Sequence, residues 1–478
     1  MKNLLIILLI ALFPAACSAE DTQTPKTVVS SGHSTALSVT IYNQDLALIS
    51  DHRQANLGST NGIVEFADVP SGVIPESVLA DTSTGTFAIL SQIYEANLID
   101  SNRLLESRIG KTIKIIDFNP YQDSSRTVEA EVLSVYPEPV YRIDGQIYLG
   151  HPGTRVLPSL PDTLRLEPAF VWNYRYSGTQ PATLDVSYLT SGFSWKSDYT
   201  LRLKESASEG VLSAWATITN SSGADFERAE LTLVAGSPNR SHRASAPQPR
   251  MLKQVAMADA AFSESGAVLS ESAAFEYHTY SMPRPVSLRN AQTRQLRLFE
   301  DREVRFRKEF RLEAPGSQFF GPAPAPQDDE PLQVVLVLSN TDKDGLGLPL
   351  PAGTVRVYED SGAGDRLFAG ESDLPHTAEN ATAELRVGRA FDVTAKKTQT
   401  SYTRLSTRLH ESSWEVLLKN RKPAPVEVVV TERFYQNWQL ISSTVKPEMV
   451  DAFTAKFRIR VEPESETRLE YRVKVGLE

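Results

Sequence analysis

The sequence predicts a mainly β protein of several antiparallel β-sandwiches, with one small inserted β-barrel-like domain and very little helix. Three observations support this fold class. Apolar and polar residues alternate with a period of two in many stretches, helical periodicity is scarce, and the composition is globular, with 41% hydrophobic and 23% charged residues. The length of 478 residues allows about three domains, each with its own core.

The N-terminus has the pattern of a signal peptide over residues 1–19. Lys2 supplies the positive start, and residues 4–13 form an apolar run that is too short to span a bilayer. Two interpretations of its processing stay open: cleavage by signal peptidase after Ala19, or a lipobox ending in Cys17, which would then carry lipid. Both predict an exported protein, in the periplasm or associated with the outer membrane.

Pattern and composition divide the rest of the chain into segments. We expect a disordered linker at 20–33, a β-rich sandwich region at 34–100 with 160–313, a small barrel-like insertion at 101–159, a Pro/Ala linker at 314–331 and a C-terminal β-sandwich at 332–478. Inside the sandwich region, the loop 237–272 is rich in Ser, Ala and Pro and lacks sustained alternation, so it is predicted to be disordered.

The insertion begins with the best helical pattern of the chain, at 101–109. Ser101 is its predicted cap, and Gly110 is its predicted end. Short strands with tight turns follow, among them PVYRID and QIYLG, and such strands suit a closed or nearly closed sheet.

The C-terminal segment shows the clearest strand patterns. FTAKFRIRV at 453–461 and TRLEYRVKV at 467–475 alternate strictly, and a short polar loop joins them, which predicts a hairpin with one buried face. VVLVLSN at 334–340 is almost continuously apolar and is typical of a strand buried on both faces.

Charge and cysteine content exclude several classes of protein. The net charge is −10 and the pI is about 5.4, so nucleic acid is not an expected partner. Cys17 is the only cysteine, so the mature domains contain no internal disulfide. Because no other apolar run approaches the length of a membrane helix, contact with a membrane is expected only through a lipid on Cys17.

No motif predicts a catalytic, metal or cofactor site. The seven histidines do not pair at metal-ligand spacing. The string at 191–195 lacks the second glycine of a nucleophile elbow, and the S-x-x-K match at 443–446 precedes a proline in an extended context. The calcium-like string at 342–347 lacks its remaining oxygen ligands and indicates a solvated turn. Binding residues are not identified by any pattern.

Aromatic residues cluster in two places, and either a sugar-binding platform or core packing could explain them. We favour core packing, the commoner fate of aromatic side chains in β-sandwiches. The residues are Trp172, Tyr174, Tyr188, Trp195, Tyr199 and Trp215 in the first cluster, and Phe434, Tyr435 and Trp438 in the second.

Several strings together resemble a known family. They are YLTSGFSWKSDY at 188–199, WATITNSSG at 215–223, AELTLVAG at 229–236, GLGLPLPAGTVRVYED at 345–360 and GRAFDVTAKKTQT at 388–400. From about Val39 to the C-terminus the chain resembles the bacterial domain-of-unknown-function 4139 family, and distantly the mucoidy-inhibitor-like proteins, whose coiled coil it lacks. The resemblance implies a mostly β, exported or envelope-associated bacterial protein, without catalytic residues to carry over.

Two functions are therefore compared. The first is a non-catalytic cell-envelope protein, a β-sandwich scaffold or binding module for a surface polymer or another protein, whose edge strands recruit a partner. The alternative is a periplasmic hydrolase that uses a carboxylate pair on glycan or peptide substrates. Export, stacked β domains and the lack of catalytic motifs favour the first.

Overall fold

A computed structural model describes residues 26–58, 60–96, 100–119, 124–160, 167–204, 208–236, 238, 270–274, 277–314, 316–324, 328–360, 365–434 and 437–476. These residues form thirty strands, one α-helix and four 3-10 helices, so the predicted mainly β fold is confirmed. The processing residues Cys17 and Ala19, and most of loop 237–272, lie outside the described residues. No helix in the described ranges is long and apolar enough to cross a membrane.

The strands are β1 Lys26–Val29, β2 Ser34–Tyr42, β3 Leu46–Ala55, β4 Asn61–Ala67, β5 Leu79–Thr82, β6 Gly85–Glu95, β7 Thr112–Asn119, β8 Ser124–Ser134, β9 Val140–Ile143, β10 Gln146–Leu149, β11 Thr154–Val156, β12 Ala169–Gly178, β13 Ala182–Thr190, β14 Phe193–Leu203, β15 Glu209–Asn220, β16 Phe226–Ala235, β17 Ser270–Ala274, β18 Tyr277–Ser281, β19 Val286–Leu288, β20 Gln292–Ala314, β21 Glu330–Ser339, β22 Gly353–Asp360, β23 Arg366–Leu374, β24 Thr382–Arg404, β25 Leu409–Asn420, β26 Val426–Arg433, β27 Asn437–Ser443, β28 Glu448–Met449, β29 Thr454–Val461 and β30 Ser465–Gly476. The helix α1 is Ser101–Glu106, and the 3-10 helices are Ser31–His33, Pro75–Ser77, Gly316–Phe320 and Asp342–Asp344.

The chain separates into two compact units. Unit 1 contains Met1–Ala36 and Ser50–Tyr188, and unit 2 contains Leu37–Ile49 and Leu189–Glu478. Residues 101–159 belong to unit 1, and residues 332–478 belong to unit 2.

Unit 1 has an aromatic core on a four-stranded sheet of order β1-β4-β12-β6. Along β12, Phe170 and Trp172 stack with ring centroids 5.8 Å apart, and Phe66 of β4 lies 5.5 Å from Trp172. The indole Nε1 of Trp172 donates to Gln92 Oε1 at 2.8 Å, which satisfies the one polar atom of this buried ring. Core packing of the first aromatic cluster is therefore confirmed for Trp172.

The insertion forms an open five-stranded sheet of order β10-β9-β8-β7-β11. Helix α1 precedes it, and its cap is Asp100 rather than Ser101, because the Asp100 carboxylate accepts from the backbone N–H of Asn102 and Arg103 at 2.8 and 2.9 Å. The helix ends at Glu106, earlier than the apolar spacing predicts.

Unit 2 is organised by two 23-residue strands, β20 and β24. The first half of β20 pairs with β15, and its second half pairs with β21 and β26. β24 pairs first with β21 and then with β25. β21 lies between β20 and β24, and its buried run at 335–338 confirms the prediction of a strand covered on both faces.

The predicted hairpin of β29 and β30 is wrong, although both alternating faces are right. β29 pairs with β26 and β28, whereas β30 pairs with β25 and β27. The two strands meet through their side chains instead, and the rings of Phe457 and Tyr471 stack 5.5 Å apart in the core. The loop between them therefore crosses from one layer of the sandwich to the other.

A buried asparagine supports the turn at the end of each of three strands of unit 2. The side chain of Asn220 donates to the carbonyls of Ala224 and Leu288, and that of Asn340 donates to the carbonyl of Leu348. Asn420 donates to the carbonyls of Ala424, Val461 and Glu462 at 2.9, 3.3 and 3.0 Å. Each amide thereby satisfies carbonyls of a neighbouring loop that would otherwise be buried without a partner.

Candidate functional site

A polar row on unit 1 contains the residue types of a serine hydrolase. His52 Nδ1 lies 2.5 Å from Asp185 Oδ1, and the hydroxyls of Ser50 and Ser187 lie 2.9 Å apart. In a catalytic triad the serine hydroxyl would bond to the other histidine nitrogen. Here the Ser50 hydroxyl bonds to Ser187, so the row consists of two polar pairs between strands and does not present an activated nucleophile.

The motifs considered in the sequence have structural roles. Gly192 forms a turn with φ of +90°, and its N–H donates to Asp45 Oδ1 at 2.7 Å. The Ser443 hydroxyl donates to the Val445 carbonyl at 2.7 Å. Asp342–Asp344 is a 3-10 turn capped by Thr341. In the part of the chain that the structure describes, no group of three or more His, Cys, Asp or Glu side chains could hold a metal ion.

A buried ion network lies on β20 and β29 of unit 2. Glu309, whose side chain is 0% exposed, accepts from Arg307, Arg311 and Arg458 at 2.9, 2.8 and 2.7 Å. Arg311 also binds Glu384 through two parallel bonds of 2.6 and 2.8 Å. Burial acts to raise the pKa of Glu309, but the hydrogen bonds from the three arginines outweigh it and lower this pKa to about 2. The carboxyl therefore stays ionised and does not suit the role of a general acid.

A second buried charge lies in unit 1. The Arg53 guanidinium donates to Asp51 Oδ2 at 2.8 Å and to the carbonyls of Val29 and Ala67 at 3.1 and 2.6 Å. Its Cζ lies 3.8 Å from the centroid of the Phe66 ring. This side chain ties β1, β3 and β4 together, and its charge is matched by one carboxylate.

The outer strand of the insertion is exposed along its whole length. β9 and β10 are joined by Asp144 and Gly145, which both have positive φ, as a two-residue hairpin turn requires. Ile147 is 56% and Leu149 84% exposed, and all four residues of β10 are exposed. We call this outer strand, with its exposed Ile147 and Leu149, the β10 edge.

Hydrogen-bond geometry leaves the β10 edge open on its outer side. Gln146 and Tyr148 lie opposite Ile143 and Tyr141 of β9, and β10 is the last strand of its sheet. In an antiparallel ladder the backbone groups of alternate residues point to opposite sides. Gln146 follows the turn and bonds to β9, so the N–H and C=O groups of Ile147 and Leu149 point away from the sheet.

Sequence reasoning predicted a strand at QIYLG but not the exposure of the edge. A short apolar run is typical of a buried strand, and so the run alone gives no reason to expect Leu149 in solvent. The Asp144–Gly145 pair predicts the hairpin of β9 with β10, but a turn does not show whether another strand pairs with the far side of β10, so the sequence contains no signal for the open edge.

Comparison with protein families identifies the larger part of the chain. Residues 184–475 match the family described as Domain of unknown function (DUF4139). The chain belongs to the DUF4139 family. No curated protein matches it. The DUF4139 region contains the Glu309 network and the three buried asparagines, whereas the β10 edge lies before it, in the insertion.

Proposed function

We propose that this DUF4139 protein is an exported, non-catalytic cell-envelope module that binds an extended apolar segment of another envelope protein by strand addition at β10. The N-terminal sequence pattern supports export. The observation that carries the binding role is the β10 edge. The backbone groups of Ile147 and Leu149 point to the outer side of the sheet, and their apolar side chains are exposed on one face of it.

The β10 edge lacks the features that normally prevent another strand from pairing with a sheet edge, and this favours a binding role. Sheet edges in monomeric proteins are commonly blocked by lysine, proline or a bulge. β10 reads Gln-Ile-Tyr-Leu and pairs in unbroken register with β9, so it has none of these within its span. An added antiparallel strand would bond to the Ile147 and Leu149 backbone and cover their side chains with its own apolar residues.

The buried charges support a scaffold rather than a hydrolase. Glycosidic or peptide hydrolysis by two carboxyls needs one that holds a proton near neutral pH. Asp51 and Glu309 are buried, and each is paired with arginine. The arginines around Glu309 hold its pKa at about 2, so this carboxyl does not keep a proton near neutral pH.

Site-specific photocrosslinking in living cells tests the proposal. A photoreactive residue at Ile147 should crosslink to an envelope protein, and mapping of the crosslinked peptide should give an extended apolar segment. Leu149→Lys should abolish the adduct, because the lysine places a charge in the apolar contact. Leu160→Lys is the matched control in the same unit, since Leu160 is 60% exposed and lies outside the strands.

Three results would contradict the proposal. The first is a mature protein that stays in the cytoplasm on fractionation. The second is an adduct that forms with a glycan rather than a peptide. The third is an adduct that survives Leu149→Lys or is lost equally in Leu160→Lys.

A further inference from the structure

An amine, a carboxylate and a carboxamide meet at the hydrophobic core of unit 2. Lys397 of β24 is 11% exposed and Glu432 of β26 is 0% exposed, and Lys397 Nζ lies 2.5 Å from Glu432 Oε1. The other carboxylate oxygen, Oε2, accepts from Gln318 Nε2 at 3.0 Å. One carboxylate therefore bridges the lysine nitrogen and the nitrogen of a side-chain amide.

Aromatic rings surround the lysine nitrogen. Lys397 Nζ lies 4.7 Å from the ring centroid of Trp414, 5.6 Å from that of Phe319 and 5.8 Å from that of Tyr471. These rings exclude water from a group that is normally exposed. Burial lowers the pKa of Lys397, although the charge and hydrogen bond of Glu432 oppose that change. A desolvated amine of this kind is a stronger nucleophile than a surface lysine.

We propose that Lys397 and Gln318 form an intramolecular isopeptide bond, with Glu432 as the catalytic acid and base. Gln318 is the acceptor because its carbonyl carbon is neutral and carries a nitrogen that can leave as ammonia. The carbon of the Glu432 carboxylate is a poor target for an amine, because it carries the negative charge that its partner lysine stabilises.

The step balances without any other reactant. Lys397 first gives a proton to Glu432 and becomes a neutral amine. Its Nζ then attacks Gln318 Cδ, and a new carbon–nitrogen bond forms. Glu432 passes its proton to Gln318 Nε2 and takes a second proton from Nζ. The Cδ–Nε2 bond breaks, ammonia leaves, and Glu432 remains protonated as a hydrogen-bond donor to the new amide oxygen.

Position in the fold gives the bond a mechanical role. Gln318 lies in the 3-10 turn Gly316–Phe320, which follows β20, and Lys397 lies in the second half of β24. A covalent link there closes a loop that contains all of β21, β22 and β23. Closing a long loop restricts the unfolded chain and so stabilises the folded one, as a disulfide does.

Mass spectrometry of the purified full chain tests the inference directly. The wild-type protein should be lighter by one ammonia than the corresponding uncrosslinked chain, and a protease digest should give a branched peptide that joins Gln318 to Lys397. Gln318→Ala removes the acceptor from a partly exposed turn and should abolish the branched peptide in a folded protein. Glu432→Gln should abolish it as well, whereas Lys396→Arg, next to the reacting lysine, should retain it.

Separate unmodified peptides for Gln318 and Lys397 in the folded wild-type protein would overturn the inference. So would a loss of one water that maps to Lys397 and Glu432, because it would make Glu432 the acceptor. A branched peptide that persists in Glu432→Gln would refute its catalytic role. Wild-type peptides decide the question even where a core variant does not fold.

Discussion

Replacing Glu309 by glutamine should remove one of the largest electrostatic contributions to the stability of unit 2. The substitution keeps the shape but removes the charge that faces Arg307, Arg311 and Arg458. The pKa of Glu309 falls from 4.5 to about 2 on folding. At 1.36 kcal/mol per pKa unit this corresponds to about 3 kcal/mol, which agrees with the ~3–5 kcal/mol cost of breaking a buried ion pair.

The pH dependence follows from the direction of that shift. Because the folded-state pKa lies below the unfolded one, the stabilisation is complete above pH 4.5 and is lost as the pH falls from 4.5 to 2. The gap between wild type and Glu309→Gln should therefore be about 3 kcal/mol at pH 7 and less than half of that near pH 3.

Urea unfolding followed by tryptophan fluorescence measures this gap, since four of the five tryptophans lie in unit 2. Glu448→Gln is the matched control. Glu448 also accepts from Arg458, at 3.1 Å, but its side chain is 59% exposed, so its loss should cost less than about 1 kcal/mol. Equal effects of the two substitutions, or a gap that does not shrink in acid, would refute the role of the network.

Two further predictions concern buried polar side chains. Arg53→Met should lower the free energy of unfolding of unit 1 by about 3–5 kcal/mol, because Asp51 then stays buried without its partner; a loss below about 1 kcal/mol in chemical denaturation would contradict this. Asn420→Ala should destabilise unit 2 by about 2–3 kcal/mol, since it leaves the carbonyls of Val461 and Glu462 without this donor. A thermal unfolding midpoint unchanged from wild type would show that the loop does not need this side chain.

Alternation along the strands predicted much of the fold, but it did not predict which strands pair. In β29 and β30 the period of two marks the buried faces correctly. Alternation is compatible both with a hairpin and with two strands in facing layers, because in either arrangement each strand buries one of its faces. In this protein β29 and β30 lie in facing layers. The ring contact of Phe457 with Tyr471 and the hydrogen bond from Asn420 to the Val461 carbonyl hold them there, and the Asn420 bond joins residues that are far apart in the sequence.

The alternation of apolar and polar residues did not predict which charged side chains are buried. On β20 the alternation predicts that Phe310 and Leu312 are buried, and they are. Glu309 and Arg311 are also buried, because their face of the strand receives Arg458 from β29 and Glu384 from β24. A pattern within one strand contains no information about the charges that a distant strand supplies. The sequence also did not predict the pair of Gln318 and Lys397, because the two residues lie on separate elements that meet only in the fold.

The most direct test of strand addition is amide hydrogen exchange at Ile147 and Leu149. A synthetic peptide with the sequence of the crosslinked segment serves as the ligand. In the chain alone, these two amides should exchange rapidly while Tyr148 is protected by β9; with the peptide bound, all three should be protected. Two amides that stay unprotected under saturating peptide, or that are already slow without it, would contradict an open edge that accepts a strand.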